Sequence, residues 1–382
     1  MIKPVDVVVV GGGMVGCLSA YYLSEAGISV AIVECTGVGV KASGNSAGGL
    51  NPLHGPGIPG PMSELAMTSF TLHLALWDSL QHEGATGFFP RQVKRMFLAF
   101  DQAGLAAFEG ARQLYTRSKG FSAHLLDAEA VKKLEHRVNP AVYGALYTEG
   151  NAAIEALAYN RAIADAALRR GAQLVDAAAT GLVCDSGRVS GVVTDKGIIS
   201  CGQVVITTGA WGEEPSRWLG VSIPVEPLKG EMLLVDIPGA PLDYDISYNN
   251  FSLFCRGQNQ VWIGATETSE GYDERPTDRA YQALLARGVQ IMPTLAEAKV
   301  LEHTVGLRPV TPDGLPIVGK VPGYENVYLS TGAGKKGTLI SAGMGKAIAD
   351  LITQGQTAIS IEAADPSRFF GVVADPRALR NR

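Results

Sequence analysis

Apolar residues along this chain fall into two periodicities that alternate from one stretch to the next. Residues 5–10 are a nearly continuous β-branched run, the pattern of a strand covered on both faces. From Met14 to about Ala26 the spacing turns helical, and Gly27 stands where a helix closes on a left-handed residue. Residues 28–34 then read as a second strand. Strand, helix and strand of these lengths make a βαβ unit, whose crossover requires parallel strands. The same habit returns far downstream. A helix over 155–170 stops at Gly171, and a short strand lies around 173–175. A hairpin joins 189–195 to 198–201 through Lys196-Gly197, and 204–207 is another buried strand. Near the carboxyl end come a strand at 327–330, a glycine-rich loop at 332–337 and a helix over 338–352.

The intervening stretches have a different character. Residues 62–80 fit an amphipathic helix, with Leu65, Leu72, Leu76 and Leu80 on or near one face. Residues 224–236, 248–256 and 260–266 alternate like half-buried antiparallel strands. The segment 53–61, with three prolines and three glycines, reads as a crossing between domains. The pattern predicts an α/β protein with an α+β second domain. A Rossmann-like nucleotide domain is assembled from 1–52, 145–220 and 304–382, and an antiparallel-sheet substrate domain from 53–144 and 221–303.

Composition narrows the function. Hydrophobic residues make up 46% and charged ones 18%, enough apolar mass for large cores. A net charge of -5 offers no electrostatic footprint for nucleic acid. The five cysteines are scattered with no CxxC pair, so neither a disulfide framework nor a zinc ribbon is expected, and no metal site is. The first residues lack an export pattern and no apolar run is long enough for a membrane span. A cytoplasmic protein is the expectation, with peripheral membrane contact and homo- or hetero-oligomers left open.

Gly11, Gly13 and Gly16 satisfy GxGxxG between the first strand and helix, where glycines permit the turn, the approach of a pyrophosphate and close packing. Met14 and Val15 open the helix whose N–H groups would face that charge. Glu34 ends the second strand, placed to accept hydrogen bonds from an unphosphorylated ribose. The pattern is common to FAD and NAD sites.

Five ordered motifs go further: VVVVGGGMVG at 7–16, ASGNSAGGL at 42–50, VITTGAW at 205–211, PVEPLKGE at 224–231 and GLRPVTPDGLPIVG at 306–319. With them the chain resembles the D-amino-acid oxidase family of FAD enzymes, in particular its glycine oxidase and sarcosine oxidase branch, over nearly its whole length. The resemblance implies that Ser43, Asn45, Ser46, Ala47, Gly48 and Leu50 pass beside the flavin ring. It implies that Val183 lies near the adenine, and that Thr208, Gly209 and Trp211 run along the diphosphate and adenosine. Gly306, Gly334, Lys335, Lys336, Gly337 and Thr338 would approach the flavin's pyrimidine edge, where a helix N-terminus offsets negative charge. Arg308 would hold the substrate carboxylate, its fork matching two oxygens. Lys335 or Lys336 would add a point charge, and Tyr248 a hydroxyl. His54 reads as a surface loop residue, and Arg256, Glu231 and Glu267 as strand-edge or interface charges.

Two departures matter. The last glycine loop has Ala333 where relatives often carry histidine. Residues 309–316 contain no cysteine, so FAD is expected to be non-covalent, and the position of the relatives' oxygen-activating lysine falls near Trp262. The implied activity is FAD-dependent oxidation of the C–N bond of a small amino acid or amine, with oxygen or another acceptor. A dehydrogenase serving a quinone or partner subunit, and a flavin-binding subunit without catalysis, remain as alternatives.

Overall fold

Val7, Val8 and Val9 have no exposed surface, because the strand that carries them is hydrogen-bonded on both edges and covered on both faces. Each such side chain contributes roughly 1.5–3 kcal/mol of burial. The computed structural model describes residues 3–370; residues 1–2 and 371–382, which the expected first domain included, lie outside the described residues.

In chain order the elements are β1 (Val5–Val10), α1 (Met14–Glu25), β2 (Val30–Glu34), β3 (Gly49–Leu50), α2 (Ser63–His82), β4 (Arg91–Ala99), α3 (Gln102–Ala107), α4 (Glu109–Arg117), β5 (Ser122–Asp127), α5 (Ala128–Leu134), β6 (Gly144–Ala153) and α6 (Ala156–Arg169). There follow β7 (Gln173–Asp176), β8 (Ala179–Asp185), β9 (Arg188–Thr194), β10 (Gly197–Ile206), α7 (Glu213–Leu219), β11 (Glu226–Asp236), β12 (Tyr244–Tyr248), β13 (Phe251–Cys255), β14 (Gln260–Gly264), α8 (Asp278–Ile291), β15 (Lys299–Val310), β16 (Ile317–Lys320), β17 (Val327–Thr331) and α9 (Gly337–Gln354).

Two sheets organise them. The first runs β16-β17-β10-β1-β2-β7, with β8 and β9 hairpinned onto β10. Its central strands are parallel, as the βαβ reading requires. Helices α1, α2, α6 and α9 share one apolar core on this sheet's side, and a second core fills the other face. The second sheet runs β15-β11-β14-β13-β12-β4-β6-β3, with β5 beside β6, and buries one face against α8.

Strand membership differs from the sequence expectation at two places. β6 and β15 pair in the second sheet, although 145–153 and 304–310 were assigned with the nucleotide domain. Both lead directly into elements of the first sheet, so local pattern could not show which sheet holds their hydrogen bonds. The expected strand at 248–256 is also two strands. Asn249 and Asn250, both with positive φ, form the turn between β12 and β13.

That turn settles side-chain direction, since successive strand residues face opposite sides. Tyr248 lies on the α8 face and packs edge-on against Phe100 at 4.7 Å. Its neighbour Ser247 faces the other way, bonded to Ser252 at 2.8 Å. On that other face the register aligns Met232, Gly264, Ser252, Ser247 and Phe97 across five strands. Arg308, Gly230, Phe254 and Arg95 share it.

Candidate active site

The turn after β1 is tight enough to exclude side chains. Gly11 has φ +111°, and a Cβ on Gly16 would lie 2.6 Å from Thr207 Oγ1 and collide with the Gly11 carbonyl. Gly13 is the N-cap of α1 and has no side chain to cap it, so first-turn N–H groups beyond Met14 face outward at the positive end of the helix. Met14 N–H donates to Ser43 Oγ at 3.0 Å, which ties the second loop to this turn. Glu34 accepts from Gly12 N–H at 2.7 Å through one carboxylate oxygen, and from Thr36 N–H and hydroxyl through the other. The acid therefore stands at the mouth of the glycine turn.

The 42–50 loop crosses from the first sheet to the second. Asn45 donates its amide to the carbonyls of Val40 and Lys41, so its side chain is used within the loop. Gly306 of β15 packs under it, where a Cβ would stand 3.4 Å from Asn45 Cβ. Ser46 bonds Thr338 at 2.9 Å and accepts from Gly48 N–H, linking the loop to the start of α9. Ala47 packs with Met232, Leu234, Phe254 and Trp262. Leu50 is fully buried in the helical core, which leaves only its backbone for a ligand.

Beyond β10, Gly209 has φ +58° and its carbonyl accepts from Thr331. The Thr208 carbonyl accepts from Trp211 N–H, and Trp211 stacks on Tyr272 with Lys41 above its ring. Val183 is on β8, exposed, paired opposite Gly191.

The loop before α9 contains a single 3-10 turn at Gly334–Lys336, and Gly337 opens the helix without a side-chain cap. Beneath it, His73 of α2 bonds the carbonyls of Thr338 and Leu339 through Nε2, and the Tyr159 hydroxyl through Nδ1. Two carbonyls at Nε2 require that nitrogen to carry the proton. Full burial holds His73 near a pKa of about 4, and it is neutral. It anchors the loop from below.

The two lysines diverge. Lys335 is exposed and pairs with Glu267. Lys336 turns inward, its ammonium group 3.4 Å from the Asn51 carbonyl, and burial together with Arg95 lowers its pKa to about 7. Arg308 leans over Gly230 and donates to the Thr266 carbonyl at 3.1 Å. Burial works against its charge and Glu267 works for it. Arg308, Lys335 and Glu267 thus form one cluster, while Lys336 belongs to another with Arg95, Asn51 and His54. Tyr248 belongs to neither, because it faces α8. His54 is exposed on its loop, as expected; its ring nonetheless packs 4.7 Å from Phe97, and partial desolvation with the nearby Lys336 and Arg95 charges lowers its pKa to about 4.

A sequence profile of the family described as FAD dependent oxidoreductase matches residues 6–351. The chain belongs to the FAD dependent oxidoreductase family. It is 30% identical over 375 residues to a glycine oxidase of Pseudomonas putida, covering 96% of this chain and 99% of that one. Its fold is similar to the glycine oxidase of Geobacillus kaustophilus, with a TM-score of 0.89 and 27% identity over 95% of this chain and 98% of that one. It is also similar to an iminodiacetate oxidase from Chelativorans sp. BNC1, with a TM-score of 0.85 and 25% identity over 94% and 99%.

The residues present suit the family's FAD. Two uncapped helix starts, at α1 and α9, offer N–H groups, and the first lies in a cradle that a Cβ would fill. A carboxylate stands beside that cradle. When bound, FAD supplies a two-electron acceptor for the substrate's C–H bond. Trp262 is buried beneath the Arg256 guanidinium.

Sequence reading missed Arg95, Asn51 and Gly230. The available signal was at Arg95: a cation inside a strand whose flanking residues 96–99 are all apolar. Such a residue is rarely buried without a partner, and this one pairs with Asp245 at 2.5 Å.

Proposed function

We propose that this chain oxidises the C–N bond of a small amino acid or N-substituted amino acid, with Arg308 holding its carboxylate. The observation that carries this reading is the state of the Arg308 guanidinium. It lies on the open face of the second sheet with one backbone carbonyl as its hydrogen-bond partner among the described residues, while the nearby Glu267 is drawn to Lys335. A half-buried guanidinium retaining unused donors suits a bidentate carboxylate. Fixing that carboxylate sets which C–H bond is presented to the cofactor, and orientation is most of what this chemistry asks of the protein. The substrate's α-hydrogen leaves with its electron pair, the unprotonated amine nitrogen closes a C=N bond, and water then splits the imine into a carbonyl compound and an amine or ammonia.

Residues 11–16, Glu34, 43–50, 208–211 and 334–338 are proposed to hold the FAD. An anaerobic titration with glycine, sarcosine, proline and D- and L-amino acids tests the proposal. Bleaching of the yellow flavin band by at least one of them is expected; no bleaching across the panel would overturn it. A second reading, a dehydrogenase that passes its electrons to a quinone or partner subunit, draws on the resemblance, by which the relatives' oxygen-activating lysine falls near Trp262. Slow reoxidation of the bleached enzyme in air, without peroxide, would select that reading.

A further inference from the structure

Lys229, Gly230 and Glu231 are consecutive on β11, and strand alternation divides two tasks between the faces of the second sheet. Gly230 faces the open side, where its missing side chain makes room for Arg308. Lys229 and Glu231 face the other side, and they are 0% and 1% exposed. Glu231 is therefore not the strand-edge charge that its place in the sequence suggests. Lysine and glutamate are buried only where they are paired or hydrogen-bonded. These two share a partner, the segment 266–277 that follows β14.

The Glu231 carboxylate accepts from the Thr277 hydroxyl at 2.9 Å through one oxygen and from Thr277 N–H at 2.8 Å through the other. Lys229 Nζ stands 3.7 Å from it and His303 Nε2 2.8 Å. Thr277 is the N-cap of α8, so the far end of the segment is fixed. Lys229 donates to Glu270 at 2.7 Å, in its middle. Main chain holds the near end, where Lys229 and Thr268 exchange N–H···O bonds of 2.9 and 3.0 Å. Thr266 completes the set. Its N–H donates to the Glu231 carbonyl at 3.1 Å, and its hydroxyl accepts from Glu231 N–H at 2.8 Å.

With N–H and hydroxyl both engaged by one residue, Thr266 has its carbonyl left, and this accepts from Arg308 Nη1 at 3.1 Å. The guanidinium makes no other hydrogen bond among the described residues. The next side chain, Glu267, is exposed and paired with Lys335 instead. Arginine carries much rotamer freedom, and a ligand that must first order it binds more weakly than one met by a fixed fork.

We propose that Thr266 is a positioning residue: its carbonyl fixes the direction of the Arg308 fork, and the buried Lys229 and Glu231 hold the segment that carries that carbonyl. The inference rests on the reading of Arg308 given above. It gives a buried pair on one face of the sheet a task in carboxylate recognition on the other, carried through a single peptide group.

The test titrates oxidised holoenzyme with propionate and with its uncharged isostere propionamide, read by the shift of the flavin absorbance bands. The native enzyme is expected to bind propionate at least tenfold more tightly. Thr266→Val keeps the shape of the side chain and removes the acceptor for Glu231 N–H. Its ratio is expected to fall below threefold, and its loss of activity to fall on KM, raised at least tenfold, rather than on kcat. Thr266→Ser restores the hydroxyl and should return ratio and KM to within threefold of native. A threonine serving stability alone would weaken both ligands alike, or lower melting temperature and flavin content. Lys229→Met frees Glu270 and leaves the main-chain bonds to Thr268 in place; it should lower the ratio at least threefold, and it serves should Thr266→Val fail to fold. An unchanged ratio in the folded variants, equal weakening of both ligands, or a Thr266→Ser variant as impaired as Thr266→Val would each overturn the proposal. A native enzyme that binds propionate no more tightly than propionamide removes the reading of Arg308 and this inference with it. Native discrimination that survives Thr266→Val removes this inference alone.

Discussion

The Arg308 guanidinium rests on Gly230: a Cβ at that glycine would stand 2.5 Å from both Nη1 and Cζ. The two residues belong to the paired strands β15 and β11, so the arginine leans across its neighbour because that neighbour has no side chain. Gly230→Ala should therefore displace the guanidinium while leaving the strands paired. The KM for the amino-acid substrate is expected to rise about 10- to 100-fold, the worth of one charge-assisted contact pair. Steady-state kinetics beside a thermal melt checks this; an unchanged KM in a well-folded variant would remove Arg308 from its assigned role.

Gly16 tests the cofactor assignment. Because its missing Cβ would meet both Thr207 Oγ1 and the Gly11 carbonyl, Gly16→Ala forces the helix away from the turn. The purified variant should carry less than a tenth of the native flavin, measured as visible absorbance per protein. Full flavin content would show that α1 does not bear the diphosphate.

Acid stability should report His73. Its folded pKa of about 4 lies below the ordinary value of 6.5, so between these values the unfolded chain binds the extra proton. Stability is complete above about pH 6.5 and is lost as pH falls toward 4, by about 3 kcal/mol at the lower end. Denaturant unfolding from pH 7 to 4 should show that slope, and His73→Gln should lessen it by close to one proton. An unaltered slope in the variant would assign the acid loss elsewhere.

Flavin should be released by acid precipitation. Cys17 and Cys255 are buried and their thiols are pushed up to about 12, chiefly by desolvation, so neither offers a thiolate for attachment. Yellow colour is expected in the supernatant; a yellow pellet would indicate a covalent bond.

Much of the scaffold could be read before any coordinates. The run 5–10, the glycine turn and Gly27 specify β1, α1 and β2 almost to the residue, because neighbouring positions decide them. The second sheet was less accessible. The resemblance implies a substrate-facing hydroxyl at Tyr248, and the turn at Asn249 and Asn250 sets that side chain on the α8 face instead. Asparagine is the commonest non-glycine residue at positive φ, so the pair carried the signal. β6 and β15 begin the segments 145–220 and 304–382 yet hydrogen-bond in the second sheet, and a strand's own residues do not record its partners.

The chain alone determined the nucleotide fold and the family, since each is written in short stretches whose spacing is itself the physical requirement. Only the tertiary structure brought the Lys336 ammonium group to the Asn51 carbonyl, 285 residues away in sequence. Periodicity states which residues share a face; which faces meet, and which donors are then left without acceptors, follows from packing between elements that no local pattern describes.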